Sequence, residues 1–267
     1  MTIRVSIAAA ILSFCVATSR AELPKLEAAE MNSAVFMETM ALPSSGEFFT
    51  AVDKQFEPNW TKILRPSVPV TTAQREHLAL QVGVLLADCY VAIEAQDGQA
   101  AKNLGRDILN LAKKLSVSQN VLARGQNISD LADKGEWRTL REELDAMQND
   151  IRLSMQDQND YDLLVFLMIG SWVRQMEIAS ALLIQNPDPD ATELLKQPVI
   201  LQHLLERLGG MTEKSRANPL AETIRTRLET LKPHMAKNTP LADDSISYIA
   251  ATMATLLNAS AEPPPKP

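Results

Sequence analysis

The stretch from Leu163 to Ile184 limits the possible folds more than any other part of the chain. It opens with an unbroken apolar run from Leu163 to Ile169. At about 100° per residue, its apolar side chains point in every direction around a helix, as in a membrane span or the centre of a helical bundle. Arg174 and Glu177 lie inside it, and a charge at the bilayer centre is costly. We therefore predict a central helix of a bundle and no transmembrane span in the mature chain.

The other long segments also have helical periodicity, with apolar residues three and four positions apart. The segment from Trp137 to Met155 is the clearest case, and no segment alternates as a half-buried strand does. The apolar residues on one face of this segment are Leu140, Leu144, Met147, Ile151 and Met155. The sequence predicts an all-α fold, a multi-helix bundle of packed helical hairpins around a central apolar helix.

Proline and capping residues predict where several helices end. Two short helices are expected within Gln119 to Ala132. Asp190 with Glu193 three residues later has the form of a capping box, which opens a helix. Pro233 is expected to stop one helix, and Thr239-Pro240 to start the last, because proline is tolerated at a first helical position and not within a helix.

A single all-α domain is predicted for residues 22–260, followed by a disordered, proline-rich tail at 261–267. The segments Ala79–Leu115 and Leu163–Leu208 both have a long apolar helix, a break and an amphipathic helix. This similarity leaves open an alternative in which two helical-hairpin halves meet near 156–161.

The first 21 residues have the pattern of a secretory signal peptide. Arg4 is followed by a short apolar stretch, Val5–Ala17, and by the small residues Ser19 and Ala21. The stretch is shorter than the roughly 20 residues that a membrane-spanning helix needs. We predict cleavage after about Ala21 and an exported protein, periplasmic or associated with the cell envelope.

Charge and cysteine content narrow the function classes. The chain of 267 residues has 26 basic and 33 acidic residues, which argues against nucleic acid as a partner because phosphate contacts need a cationic face. Removing the signal peptide leaves one cysteine, Cys89, so no internal disulfide is expected. Its apolar neighbours favour a buried, inert thiol, and an intermolecular disulfide is the alternative.

Three charged residues stand out because they lie in apolar helices. Asp88 is the only charge between Val82 and Ile93. It shares a helix face with His77, so it belongs either to a solvated stripe or to an ion pair with Arg174 across two core helices. Glu177 follows Arg174 by three residues and either forms a pair with it near solvent or joins the same cluster. We take Asp88, Arg174 and Glu177 as a speculative polar binding cluster.

No motif predicts a catalytic, cofactor-binding or metal-binding residue. The three histidines are far apart and no cysteine pair is present, so no local metal signature exists. The favoured function is non-catalytic binding of a protein partner or small ligand. The alternatives are a structural component of the envelope and, less favoured, an enzyme whose site is built from the three charged residues.

Three motifs resemble an uncharacterised family of exported or lipid-anchored, all-helical bacterial proteins. They are Leu42–Phe49, Gly83–Tyr90 and Gly170–Ala179, in the same order as in the family. The family's first motif resembles Pro-Ser-Pro followed by acidic and apolar residues, and its last resembles Gly-Gly-Trp-Ile-Glu-Gly-Leu-Tyr. This chain has Ser45-Gly46 in place of the second proline region, Arg174 in place of Glu, and Glu177 in place of Tyr. The resemblance implies an exported helical fold and no particular activity.

Overall fold

The computed structural model describes residues 45–66, 72–236 and 239–261. Within these residues the chain forms eleven α-helices, one 3-10 helix and no strand, so the predicted all-α bundle is confirmed. The predicted signal peptide and, apart from Ala261, the predicted tail lie outside them. In chain order the helices are α1 (Ser45–Gln55), α2 (Trp60–Ile63), α3 (Arg75–Glu94), α4 (Gly98–Lys114), α5 (Gln119–Lys134), α6 (Trp137–Asp157), α7 (Tyr161–Gln185), the 3-10 helix (Asp190–Leu195), α8 (Pro198–Gly210), α9 (Glu213–Arg216), α10 (Pro219–Met235) and α11 (Asp243–Ala261).

Helices α3 and α7 form the centre of the bundle. Both are long and apolar enough to cross a membrane, but 94% and 89% of their most apolar stretches are buried inside the fold. The predicted central position of the helix that begins near Leu163 is therefore confirmed, with α3 as a second central helix. The absence of a membrane span in the mature chain stays a prediction.

The two central helices touch at a pair of glycines. A Cβ atom on Gly83 would lie 2.0 Å from the carbonyl oxygen of Leu167, and one on Gly170 would lie 2.0 Å from that of Leu80. Each glycine thus faces the carbonyl three residues before the other glycine. Because no side chain fits at that distance, glycine alone permits this approach.

The remaining helices surround the central pair. On one side α4 packs against α3, α5 against α4 and α6 against α5; on the other, α11 packs against α7 and α10 against α11. Helix α1 lies across α3 and α7, where Phe49 stacks on Tyr90 with ring centroids 5.4 Å apart. One continuous cluster of buried apolar side chains runs through these helices.

The prediction of two short helices within Gln119 to Ala132 is wrong, because α5 is one continuous helix. Val121, Ile128 and Ala132 are its buried residues, so a single apolar face extends along its whole length. The helix ends at Gly135, whose φ of 66° is in the left-handed region that glycine adopts readily.

The capping box predicted at Asp190 is also wrong. This segment is a short 3-10 helix, and its first amide groups are capped from outside by Asp188, whose Oδ1 accepts from the backbone N–H of Asp190 at 2.9 Å. Glu193 forms an ion pair with Lys196 instead of bonding back to the helix start.

Two predicted helix ends near the C-terminus are wrong as well. Helix α10 continues through Pro233 to Met235, which is buried; a proline in the last turn removes few helical hydrogen bonds, so burial of Met235 prevails. Helix α11 begins at Asp243 rather than at Thr239-Pro240. Leu241, between them, is buried and donates its N–H to Thr192 Oγ1 at 3.3 Å.

Candidate functional site

The structure forms the predicted ion pair between Asp88 and Arg174. Asp88 projects from α3 and Arg174 from α7, and Arg174 Nε donates to Asp88 Oδ1 at 2.6 Å. Their side chains are 4% and 3% exposed. The alternative of a solvated stripe is wrong, because His77 and Gln81 on the same face are also buried.

Two more side chains and one carbonyl complete this cluster. Arg174 donates from Nη1 to Glu177 and from Nη2 to the carbonyl oxygen of Ile63 at 3.1 Å. Arg65 donates to both carboxylate oxygens of Asp88, from Nε at 3.1 and 3.0 Å and from Nη2 at 2.9 Å. We call Arg65, Asp88, Arg174 and Glu177 the ion-pair network; it contains two cations and two anions, so its formal charges balance.

The ion-pair network ties the segment after α2 to both central helices. Asp88 and Arg174 are buried, and only the two ends, Arg65 and Glu177, reach solvent, with side chains 30% and 27% exposed. A ligand would have to displace existing charge-assisted hydrogen bonds, which are the strong kind. As a binding site, Asp88, Arg174 and Glu177 stay a prediction, and their polar groups are already occupied by one another.

A second candidate site, which the sequence did not reveal, is a cleft of about 300 Å³ between α1, α7 and the 3-10 helix. Its floor is one face of α7, and its two walls come from α1 and from the segment that begins at Asp190. Most of its surface is apolar. The apolar side chains that line it are Phe48, Ala51, Met168, Trp172, Ala191, Leu194 and Ile200.

Three buried polar side chains lie at the junction of α1 with the floor of this cleft. Gln175 Nε2 donates to Ser45 Oγ at 2.9 Å and to Ser171 Oγ at 3.1 Å, and the two hydroxyls are 3.0 Å apart. Within the described residues Gln175 Oε1 has no partner, and only one of the two hydroxyl hydrogens is used inside the trio. Gln175 and Ser171 line the cleft and are 6% and 5% exposed. The floor therefore offers one acceptor and one donor.

The wall opposite α1 is held in place by a side-chain amide. Trp172 Nε1 donates to Gln197 Oε1 at 2.7 Å, and Gln197 Nε2 donates to the carbonyl oxygen of Leu194 at 2.7 Å. Because these bonds connect the floor to the wall and the trio connects the floor to α1, the shape of the cleft is formed before any ligand arrives.

The rim of the cleft is acidic. Glu47 from α1 and Asp190 and Glu193 from the 3-10 helix line it, and among the residues that the structure describes no Lys, Arg or His belongs to the lining. Lys196 Nζ forms an ion pair with Glu193 Oε1 at 2.5 Å. Glu47 has interactions of its own, and without it Asp190 and Glu193 still outnumber this lysine at the rim.

Two of the three motifs that carry the family resemblance, the first and the third, meet at this cleft. Ser45 and Phe48 come from the first motif, and Ser171, Trp172 and Gln175 come from the third. Sequence patterning could mark Phe48 and Trp172 only as apolar helix residues, since nothing local shows which apolar face remains uncovered.

No family model matches the chain, and searches of curated proteins and of solved structures return no match. The resemblance to exported helical proteins stays a prediction from the motifs. In the part of the chain that the structure describes, no group of three or more His, Cys, Asp or Glu side chains is placed to hold a metal ion.

Cys89 is fully buried in α3, as the sequence favoured. Burial, with a smaller contribution from the charge of Asp88, raises the pKa of its thiol to about 12. Because the thiolate is the reactive form, a disulfide reagent at mildly alkaline pH should leave the native mature protein unlabelled and label one thiol in concentrated guanidinium chloride. An added exposed thiol, Ala254→Cys, should react at once; equally rapid labelling of Cys89 in the native state would contradict its burial.

Proposed function

We propose that the chain is an exported binding protein that holds a small, largely apolar ligand in the cleft between α1, α7 and the 3-10 helix, without transforming it. The observation that carries the proposal is the cleft itself, apolar on most of its surface and with unused hydrogen-bonding groups at its floor. Export rests on the sequence pattern of residues 1–21.

The dimensions and composition of the cleft support a small-molecule ligand. Ligand sites in proteins are concave, enclose roughly 300–1,000 Å³, and combine apolar walls with a few fixed polar groups. The cleft is at the lower end of that range, which suits a compact ligand. Binding would also give Gln175 Oε1, which has no protein partner among the described residues, a hydrogen bond to the ligand in place of one to water.

The chemistry of the lining supports binding rather than catalysis. Covalent catalysis needs a nucleophile held against a base, whereas the hydroxyls of Ser45 and Ser171 bond to each other and to an amide. In the less favoured enzyme built on Asp88 and Glu177, both carboxylates would have to leave a guanidinium group before they could act as acid or base.

Filling the cleft tests the proposal. Ala51 lines it from α1, so Ala51→Phe places a ring in the space that a ligand needs. We expect the mature protein to bind the neutral apolar dye N-phenylnaphthylamine saturably, with energy transfer from its tryptophans, and Ala51→Phe to weaken this binding about tenfold or more. The measurement is a fluorescence titration.

The matched control is Ala254→Phe, which adds the same ring to an exposed position on α11. It should bind the dye as the parent does. Circular dichroism and a melting curve establish that Ala51→Phe is folded, and Ala51→Leu is a smaller filling substitution if it is not. Absence of dye binding to the parent, or equal binding by parent and folded filled variants, would overturn the proposal.

A further inference from the structure

We propose that the ligand of this cleft is a cationic amphiphile, an apolar molecule with a protonated amine. The inference deepens the proposed function and rests on it. Three features of the cleft point to this class: an apolar interior, an acidic rim, and a hydrogen-bond acceptor at the floor that nothing in the described residues uses.

The apolar interior of the cleft indicates that the enclosed part of the ligand is apolar. Trp172, Met168 and Ile200 face the cleft from two sides, so a hydrocarbon chain or ring inside it leaves water and gains contact. A ligand with polar groups over its whole surface would lose hydrogen bonds to water that these side chains cannot replace.

The acidic rim of the cleft indicates the sign of the charge that the ligand carries. Glu47, Asp190 and Glu193 line the opening, and no basic side chain from the described part of the chain lines it. Asp190 is exposed and Glu193 shares its carboxylate with Lys196. An anionic head group would face repulsion from this rim, whereas an ammonium group would meet carboxylate acceptors while its apolar part remained inside.

The floor supplies an independent observation. Gln175 is only 6% exposed, and both hydrogens of its amide nitrogen are directed to serine hydroxyls. The remaining atom, Oε1, accepts and cannot donate. The floor thus offers one acceptor, to which a donor on the ligand such as an ammonium N–H can bond, beside one spare serine hydroxyl hydrogen. The preference against an anionic group comes from the rim.

A matched set of three ligands tests the inference on the full mature chain. Octylamine, octanol and octanoate share one chain and differ in charge, since an alkylamine, like a lysine side chain, is protonated at neutral pH. We expect octylamine to displace the naphthylamine dye at about a tenfold lower concentration than octanol does, and octanoate to be the weakest. High salt should shrink the preference, because it screens exposed charges.

A pair of double variants attributes the preference to the rim. Asp190→Asn with Glu193→Gln should remove most of the advantage of octylamine over octanol, with displacement by each ligand measured against the variant's own affinity for the dye. The control, Glu222→Gln with Glu229→Gln, removes two exposed carboxylates from α10 and so changes the net charge equally. It should bind all three ligands as the parent does.

The outcomes separate this inference from the function on which it rests. If the dye binds in the cleft and octylamine is no better than octanol, the inference fails while the proposed function stands. If the preference for octylamine survives in the rim variant, or falls equally in the control, the inference also fails. If the dye does not bind the parent protein, the proposed function fails first.

Discussion

Replacing Gly170 by alanine is expected to lower the free energy of unfolding by about 3–5 kcal/mol, more than ordinary overpacking of a core. The added Cβ would lie 2.0 Å from the carbonyl oxygen of Leu80 and 2.9 Å from its carbon. Both are backbone atoms of a buried helix, so no side chain can rotate away and α3 and α7 must separate. Chemical denaturation followed by circular dichroism measures the effect.

Gly209→Ala is the matched control for this substitution. Gly209 is also helical, in α8, but nothing lies within 4 Å of the position of its added Cβ. Alanine there should leave stability unchanged or raise it by up to about 1 kcal/mol, because it lowers the entropy of the unfolded chain. Similar losses for the two variants would show that the contact between α3 and α7 does not depend on glycine.

Asp88→Ala is expected to cost about 3–5 kcal/mol, because it removes the buried carboxylate between Arg174 and Arg65 and leaves only Glu177, 27% exposed, to balance the buried guanidinium group of Arg174. Arg65, whose side chain is 30% exposed, can turn to water, so the loss of its own bonds to Asp88 contributes less to this cost. For comparison, Glu222→Ala breaks an exposed pair with Arg225 and should cost about 1 kcal/mol or less. Thermal melting of the three proteins provides the comparison, and an unchanged melting curve for Asp88→Ala would contradict the role of the pair.

A double substitution separates loss of the pair from general damage to the core. Asp88→Leu with Arg174→Met replaces both buried charges by apolar groups of similar length. Its stability should recover much of what Asp88→Ala loses, since a buried ion pair can often be exchanged for apolar contact at little cost. A double variant less stable than Asp88→Ala would show that the pair itself, and not the stranded charge, provides the stability.

The parts of the fold that the sequence predicted correctly depend on local pattern. A helix that is apolar on all sides and has charges in its interior is expected at the centre of a bundle, so the position of α7 was predictable. For Asp88 the sequence left two alternatives open, a solvated stripe and a pair with Arg174, and the structure has the pair. The participation of Arg65 was not predictable. Arg65 lies between Pro58 and Pro69, where no periodicity indicates which way a side chain points.

The cleft was beyond sequence reasoning because it depends on contacts between distant parts of the chain. Ser45 is 126 residues from Ser171 and 130 from Gln175. The errors at Asp190 and Pro233 have a similar origin. Local capping and proline rules were outweighed there by burial of neighbouring residues such as Leu195 and Met235.

The close contact of α3 and α7 at Gly83 and Gly170 also determines where the ligand specificity of this protein can change. Ser171 directly follows Gly170 and Gln175 is little more than one turn further along α7, so the floor of the cleft adjoins the close contact between α3 and α7. Helix α1 packs across these two helices from outside. Engineering a new ligand preference should therefore begin at Ala51 and Gln55 on α1, because substitutions there do not touch the contact between α3 and α7.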